Sequence, residues 1–318
     1  MNSVTKTPVL ANKCVSGGCL NAAAALYSLF YNGNGTQGNP FIITSGEHLQ
    51  NTVSYTNMSN RYYKLGQNID LSSYGSWTPV SMFNGVLDGN GKKITGLYIY
   101  SDNNYSVGLF DGNNGIIKNL DIQGEIYVYG NNSGYAGVIA GRNFGLIDNC
   151  EVLNGSYIYV SNENFYVGGI AGLNDVGIYT GTIKDCINNA YICGYANNGG
   201  IAGKSGVTIM TCINNGRIEY WGSGTHSQGG IAGVQFAGSI TSSVNNGTIA
   251  YSSRFPGSST VLQPNMAHII GYKTGGTSNW NTWPNGYVDK GYLTTVFLPG
   301  GGVHDQALYV KNAEIGRY

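Results

Sequence analysis

A repeat of about thirty residues constrains the fold of this chain more than any other feature of its sequence. Its copies are short apolar segments bounded by small residues, at Val107–Gly112, Ala136–Gly141, Val167–Gly172, Asn198–Gly203 and Gln228–Gly233, with a weaker copy at Met266–Gly271. They follow one another at steps of 29, 31, 31, 30 and 38 residues. Such regular spacing predicts stacked units, each of which buries its apolar face only against its neighbours.

Each repeat also contains two further short apolar segments. One series begins at Ile117, Ile147, Ile183, Ile209 and Ile240, and the other is centred on Ile126, Ile158, Ile192, Ile218 and Ile249. Short strands separated by Gly and Asn corners indicate a β-solenoid, whereas helical repeats would show a period of 3.6 and far less glycine. We therefore predict an all-β, right-handed parallel β-helix with three strands in each coil, its handedness following the general rule for parallel crossovers.

Segments outside the repeat are expected to close the ends of the solenoid, because open strand edges invite association. We predict an N-terminal cap with short helices (near 20–30 and 46–54) at 1–54, the parallel β-helix at 55–271, a protruding Gly/Trp loop at 272–290, and a C-terminal cap at 291–318.

The Gly-Gly-Ile-Ala-Gly copies at 168–172, 199–203 and 229–233 resemble the GLUG-type repeats of bacterial surface and secreted proteins. Such repeats also occur beside the catalytic domains of IgA-specific metallopeptidases. The resemblance covers about residues 39–250 and implies a parallel β-helix at the cell surface or outside the cell. It implies no particular activity, because a repeat family is a scaffold. A weaker resemblance is to tāpirins, β-helical adhesins that bind cellulose.

Charge and hydrophobicity exclude several classes of function. The 318 residues include 16 basic and 16 acidic side chains, so the chain lacks the basic surface that nucleic-acid binding requires. No run of 18 apolar residues is present, and we predict no membrane insertion. Low charge with 50 glycines and 25 tyrosines favours an extracellular or cell-surface protein, which we expect to be a monomer without a cofactor.

The cysteines and histidines do not form a metal-binding pattern. Cys150, Cys186 and Cys212 occupy equivalent repeat positions and predict an inward ladder of packed thiols. Cys193 lies in another register, for which an exposed position is one alternative. Cys14 and Cys19 are spaced for a small disulfide in an oxidising compartment. The four histidines are scattered, so no metal site is predicted.

Asp121 and Glu151 are the acidic pair that a sugar-cleaving enzyme would use. They share a repeat position, and glycosidases need two carboxylates about 5–10 Å apart. The acidic row ends there, because Ile187 and Ile213 follow, and no basic partner is evident from the sequence. A polysaccharide lyase or glycoside hydrolase is therefore the alternative to a non-catalytic domain.

Aromatic residues supply the leading functional hypothesis. Strand alternation sends nine aromatic side chains to one nearly uncharged outer face: Tyr98, Tyr100, Tyr127, Tyr129, Tyr157, Tyr159, Tyr191, Tyr195 and Trp221. Trp280 and Trp283 in the predicted loop extend this set. Such a face suits the apolar faces and hydroxyls of a polysaccharide. The alternatives are ordinary ladder stacking beneath segment 252–290, and a structural spacer or protein-binding adhesin.

Overall fold

The structure is a computed structural model, and it describes residues 4–6, 18–20, 30–52, 60–102, 105–176, 181–222, 226–251, 266–267, 269–274 and 277–279. Within these ranges the chain is an all-β parallel solenoid with one α-helix, Gly46–Asn51, and one 3₁₀ helix, Ser72–Tyr74. Several predictions lie outside the described residues: the helix over most of 20–30, the Cys14–Cys19 disulfide, Trp280, Trp283, and the cap at 291–318.

Four parallel sheets run along the solenoid. Sheet 1 contains Ser106–Val107, Gly134–Gly137, Phe165–Gly168, Asn197–Gly199, Gln228–Gly229 and Met266–Ala267. Sheet 2 contains Phe110–Asn113, Ala140–Asn143, Ala171–Asn174, Ala202–Ser205, Ala232–Gln235 and Ile270–Lys273. Sheet 3 contains Phe41–Ile43, Tyr62–Leu65, Val86–Asp88, Ile116–Lys118, Leu146–Asp148, Thr182–Lys184, Thr208–Met210, Ser239–Thr241 and Thr277–Asn279. Sheet 4 contains Ile69–Asp70, Lys93–Ser101, Asp121–Val128, Glu151–Val152, Tyr157–Val160, Ile187–Asn188, Tyr191–Gly194, Ile213–Asn214, Ile218–Tyr220, Val244–Asn245 and Ile249–Tyr251. A separate antiparallel pair joins Val4–Lys6 to Gly18–Leu20.

The coil differs from the predicted three strands in its first segment. The repeated Gly-x-x-Ala segment divides into two short strands, one in sheet 1 and one in sheet 2. Val138 and Ile139, between these strands, are consecutive residues and both are fully buried. A continuous strand would send one of them outward, so the chain turns a corner here and directs both into the core.

The predicted registers of the third segment are confirmed. Ile99, Ile126, Ile158, Ile192, Ile218 and Ile249 pair in one column along sheet 4. The first five are almost fully buried, and Ile249, the last of the column, is half-buried. Because successive isoleucines of the column cover one another, the core is continuous along the solenoid.

Asparagine has two structural roles in the coil. At the corner between sheets 3 and 4, one column of residues has positive φ: Asn90, Asn119, Asn149, Asp185, Thr211 and Ser242, at φ 50–54°. Asn and Asp tolerate this left-handed region better than most residues do. Inside the solenoid, the amides of Asn113, Asn143 and Asn174 form a buried hydrogen-bonded ladder, with N–O distances of 2.8 and 2.9 Å.

The strands extend beyond the boundaries expected for the solenoid. Phe41–Ile43 already pairs with Tyr62–Leu65, and the helix Gly46–Asn51 is inserted between them, where a short helix is predicted. Thr277–Asn279 pairs with Ser239–Thr241, so a strand occupies part of the segment assigned to a loop from 272 onward. Among the residues described, neither helix is long and apolar enough to cross a membrane.

Candidate functional site

The tyrosines of sheet 4 lie in two columns on either side of the buried isoleucines. Tyr98 pairs with Glu125, which pairs with Tyr157, and Tyr157 pairs with Tyr191. The other column contains Tyr100, Tyr127, Tyr159 and Cys193 in register. Because successive side chains of a strand point to opposite faces, both columns lie on the outer face.

Ring contacts join eight of the nine predicted aromatic residues into two rows. Row one contains Tyr98, Tyr127, Tyr157 and Tyr191, with neighbouring ring centroids 5.4–5.9 Å apart. Row two contains Tyr100, Tyr129, Tyr159 and Trp221, with centroids 5.3–5.5 Å apart. These distances are typical of interacting aromatic pairs. Tyr195 is half-buried and joins neither row within the described part of the chain.

Three of the four hydroxyls of row one are engaged within the protein. Tyr127 donates to Glu125 at 3.2 Å, Tyr191 donates to Glu219 at 2.5 Å, and Tyr157 accepts from the Cys193 thiol at 3.0 Å. Burial, reinforced by these partners, raises the pKa of all three tyrosines. Row one is therefore held in place by its own hydrogen bonds.

The exposure of the rings is highest at the N-terminal end of this face and continues along row two. Tyr100 is 52% exposed, Tyr129 37%, and Tyr98, the first ring of row one, 40%. The hydroxyls of these three tyrosines make no hydrogen bond to any residue that the structure describes. Row two thus offers both ring surface and hydroxyl groups to a ligand.

Within the described ranges, the outer face carries three charged residues beside its tyrosines. Glu125 lies between Tyr98 and Tyr157 in its column. Near the far end, Arg217 forms an ion pair with Glu219 at 2.9 Å and lies over the Tyr191 ring, 5.6 Å from its centroid. These charges are satisfied locally, and all of them contact row one.

The Asp121–Glu151 pair is adjacent, as the sequence predicts, and lies beside a groove of about 420 Å³. Asp121 also pairs in register with Lys93, so a basic neighbour exists that sequence reasoning did not find. Glu151 accepts a hydrogen bond from Asn189 at 2.9 Å. The polar groups lining the groove include Asp88, Asn119, Asp121, Asn149, Glu151 and Asp185.

Four cysteines, at 150, 186, 193 and 212, are buried thiols outside any disulfide. Cys150, Cys186 and Cys212 form the predicted inward ladder, and each thiol donates to the carbonyl two residues earlier at 3.1–3.3 Å. Burial raises the pKa of Cys150 and Cys186. The alternative of an exposed Cys193 is wrong: this residue is 1% exposed because it packs against Tyr157. Among the residues described, no cluster of His, Cys, Asp and Glu could hold a metal ion.

A second aromatic group, on sheet 1, was missed in the sequence. Tyr105 and Tyr135 have ring centroids 5.4 Å apart, and Tyr135 and Tyr166 have centroids 5.9 Å apart. Arg142 lies over the Tyr105 ring and Lys204 over the Tyr166 ring, at 5.5 and 5.1 Å. The available signal was that Tyr135 and Tyr166 each stand two residues before the repeat glycine.

Comparison with known proteins gives partial matches. No protein-family model matches the chain. A proposed Gly-rich membrane protein of Evansella cellulosilytica is 36% identical over 137 residues, which is 39% of this chain and 16% of that protein. Halomucin of Haloquadratum walsbyi is 30% identical over 200 residues, which is 59% of this chain and 2% of that protein. The chain therefore matches only a small part of these much longer relatives.

One solved structure shares the fold. The crystal structure of a proposed immunoglobulin A1 protease from Bacteroides ovatus matches with a TM-score of 0.57, covering 90% of this chain and 86% of that one. Sequence identity is 18%, so the likeness concerns the architecture alone. The chain is thus a parallel β-solenoid, similar in sequence to parts of proteins named as membrane protein and halomucin.

Proposed function

We propose that this chain is an extracellular or cell-surface domain that attaches, without catalysis, to a polysaccharide of cellulose-like or other cell-wall type. The observation that carries the proposal is row two, a contiguous series of four aromatic rings along sheet 4 whose first two members are well exposed. A surface location is supported by the low charge and by the names of the two relatives.

The chemistry of row two suits a neutral glycan. A tyrosine ring presents an apolar face to the C–H groups of a pyranose, and its hydroxyl can exchange hydrogen bonds with the sugar. The rings of Tyr100 and Tyr129 keep their hydroxyls available for this purpose. Because the sheet is rigid, little conformational freedom is lost on binding, and several weak contacts along one polymer add up to useful avidity.

Binding to insoluble cellulose, xylan and chitin, measured by depletion from solution, tests the proposal. The variant Tyr100→Ala/Tyr129→Ala/Tyr159→Ala should lose about 10–1,000-fold in affinity, since aromatic contacts contribute about 0.5–1.5 kcal/mol each. The matched Phe triple variant keeps the rings and should lose far less. Tyr31→Ala removes an exposed tyrosine outside the sheets and serves as a surface control. Unaltered binding by the Ala triple variant would reject row two as the platform.

A second candidate is cleavage of a polysaccharide at the acidic groove. It is favoured by the register Lys93–Asp121–Glu151, because Asp121 and Glu151 belong to adjacent strands whose backbones lie about 4.8 Å apart. Side chains from adjacent strands can bring their carboxyl groups to the roughly 5 Å separation that retaining glycosidases use. Release of reducing or unsaturated sugars from the same polysaccharides, abolished by Asp121→Asn, would establish this activity. Binding without release of sugar would favour adhesion, and neither would favour a structural spacer.

A further inference from the structure

Sheets 1 and 2 meet in a cleft that has glycine at its base. A Cβ atom added to Gly141 would lie 2.6 Å from the nitrogen of Val107, and one added to Gly203 would lie 2.5 Å from the carbonyl carbon of Tyr166. Only glycine fits so close to a neighbouring backbone. Because the backbones approach so closely, side chains of sheet 1 face side chains of sheet 2, as the contact between Tyr166 and Lys204 shows.

The two cations of this cleft differ in their electrostatic state. Arg142, at the N-terminal end, is ion-paired with Asp111 at 2.9 Å and contacts the Tyr105 ring. Lys204 has no carboxylate within ion-pair distance among the residues that the structure describes. In register, Lys204 is flanked by Leu173 and Val234, so its own column supplies no counter-charge.

Lys204 is held between two rings and lines a cavity. Its Nζ atom lies 5.1 Å from the Tyr166 centroid and 5.0 Å from the Phe236 centroid. The cavity, of about 350 Å³, is also lined by Tyr272 and Asn197. Aromatic contact removes water from an ammonium group without neutralising it, which favours pairing with an incoming anion.

We infer that this cavity is a subsite for an acidic sugar of the uronate class. The sugar carboxylate pairs with the ammonium of Lys204, and the apolar face of the pyranose packs on Tyr166 or Tyr272. The side chains of Asn197, Ser227 and Thr274, which also line the cavity, supply partners for the sugar hydroxyls. This subsite lies on different sheets from row two, so the inference stands independently of the proposed function.

Isothermal titration with oligogalacturonate, and with its methyl ester as the matched neutral ligand, tests the subsite. The unmodified protein should bind the acid at least about 10-fold more tightly than the ester, and more weakly as salt rises. Lys204→Gln should remove this preference, while Lys204→Arg should retain it. Arg142→Gln, which removes the paired cation of the same cleft, should leave it unchanged.

Several outcomes would overturn the inference. These are no binding of the acid by the unmodified protein, equal binding of acid and ester, or an unchanged preference in Lys204→Gln. A sulfated galactan, which carries no carboxylate, would refute the assignment to carboxylate sugars if it bound as tightly as the uronate, because any anion would then suffice. The Tyr100/Tyr129/Tyr159 triple Ala variant should keep uronate binding, so that failure of row two and failure of this subsite are distinguished.

Discussion

The buried asparagine ladder offers a quantitative test of what holds the coils in register. In Asn143, Oδ1 accepts from the Asn113 amide at 2.8 Å, and Nδ2 donates to Asn174 Oδ1 at 2.9 Å. The Asn143→Ala substitution removes both bonds, together with the longer bonds of the same amide to the backbone of Gly145 and the carbonyl of Thr182, at a position that solvent does not reach. It leaves a donor on Asn113 with only a long 3.4 Å bond to the carbonyl of Leu146, and leaves the acceptor on Asn174 unmatched.

The expected cost follows from these two groups. Each buried polar group left without its partner costs about 1–3 kcal/mol, so Asn143→Ala should lower the free energy of unfolding by about 3 kcal/mol. The matched control is Asn215→Ala, which interrupts a ladder of the same amide type, with 2.9 Å bonds to Asn189 and Asn246. Asn215 is exposed, so water replaces its bonds and the loss should stay within about 0.5 kcal/mol.

Urea denaturation measured by circular dichroism gives both values, provided that the m-value is unchanged between variants. In thermal unfolding, the predicted difference corresponds to a fall in Tm of roughly 6–12 °C for Asn143→Ala. Equal losses in the two variants would refute the reasoning, because burial is what distinguishes the two ladders. A loss below about 1 kcal/mol for Asn143→Ala would refute it as well, since the unmatched amides would then cost almost nothing.

Two further predictions concern the corner column and the second aromatic group. Thr211→Asn should stabilise the fold by about 1 kcal/mol in urea titrations, because a β-branched residue is strained at φ 52° and asparagine is not. The control variant Thr211→Val keeps the branching but loses the hydrogen bond to Asp185, so it should destabilise the fold. Burial and a hydrogen bond with Tyr105 raise the pKa of Tyr135 from 10.0 to about 12. The folded protein therefore keeps the Tyr135 hydroxyl proton to a higher pH than the unfolded chain does. The contribution of Tyr135 to the free energy of unfolding is complete below pH 10 and declines as the pH rises to about 12. Between pH 10 and 12, the free energy of unfolding should therefore fall less steeply with pH in Tyr135→Phe than in the unmodified protein. Parallel curves for the two proteins would contradict a raised pKa of Tyr135.

The repeat made most of this architecture predictable. The four nearly equal steps between the first five copies, and the column from Ile99 to Ile249, define which residues stack. A stacked column has a similar environment in each coil. The outward direction of the tyrosines follows from strand alternation alone. The division of the Gly-x-x-Ala segment between two sheets could not be predicted, because Val138 and Ile139 look like part of an ordinary apolar strand until the corner is seen.

The candidate sites were less predictable because they depend on contacts between segments with different periods. Tyr159 contacts Trp221 at 5.4 Å, although Trp221 belongs to the second coil after that of Tyr159. The small Cys193 occupies the intervening position of the column. Likewise, a register shift between Ile122 and Gly124 separates the Lys93–Asp121 pair from the Ile99–Ile126 pair, so spacing counted from the isoleucine column does not predict it.

Stacking also explains where charge is found on this solenoid. Any outward charge meets the equivalent residues of the next coils about 4.8 Å away, and like charges at that distance repel. One column of sheet 3 avoids repulsion by alternating signs: Lys64, Asp88, Lys118, Asp148 and Lys184. Neighbours in this column form ion pairs, with N–O distances of 3.7 Å for Lys118–Asp88 and 3.0 Å for Lys184–Asp148.

Other charges on the described paired strands do not alternate: Glu125 stands between Tyr98 and Tyr157, for example. Asp121 and Glu151 are acidic neighbours in one column, and Lys204 stands in its column between two apolar residues. Adjacent carboxylates repel, whereas the two rings attract the ammonium of Lys204 but do not neutralise it. An incoming anion would supply the missing counter-charge at Lys204, and a cationic or hydrogen-bond-donating group would relieve the repulsion at the acidic pair. We therefore expect a charged ligand to gain more at these two places than at the columns whose charges already alternate.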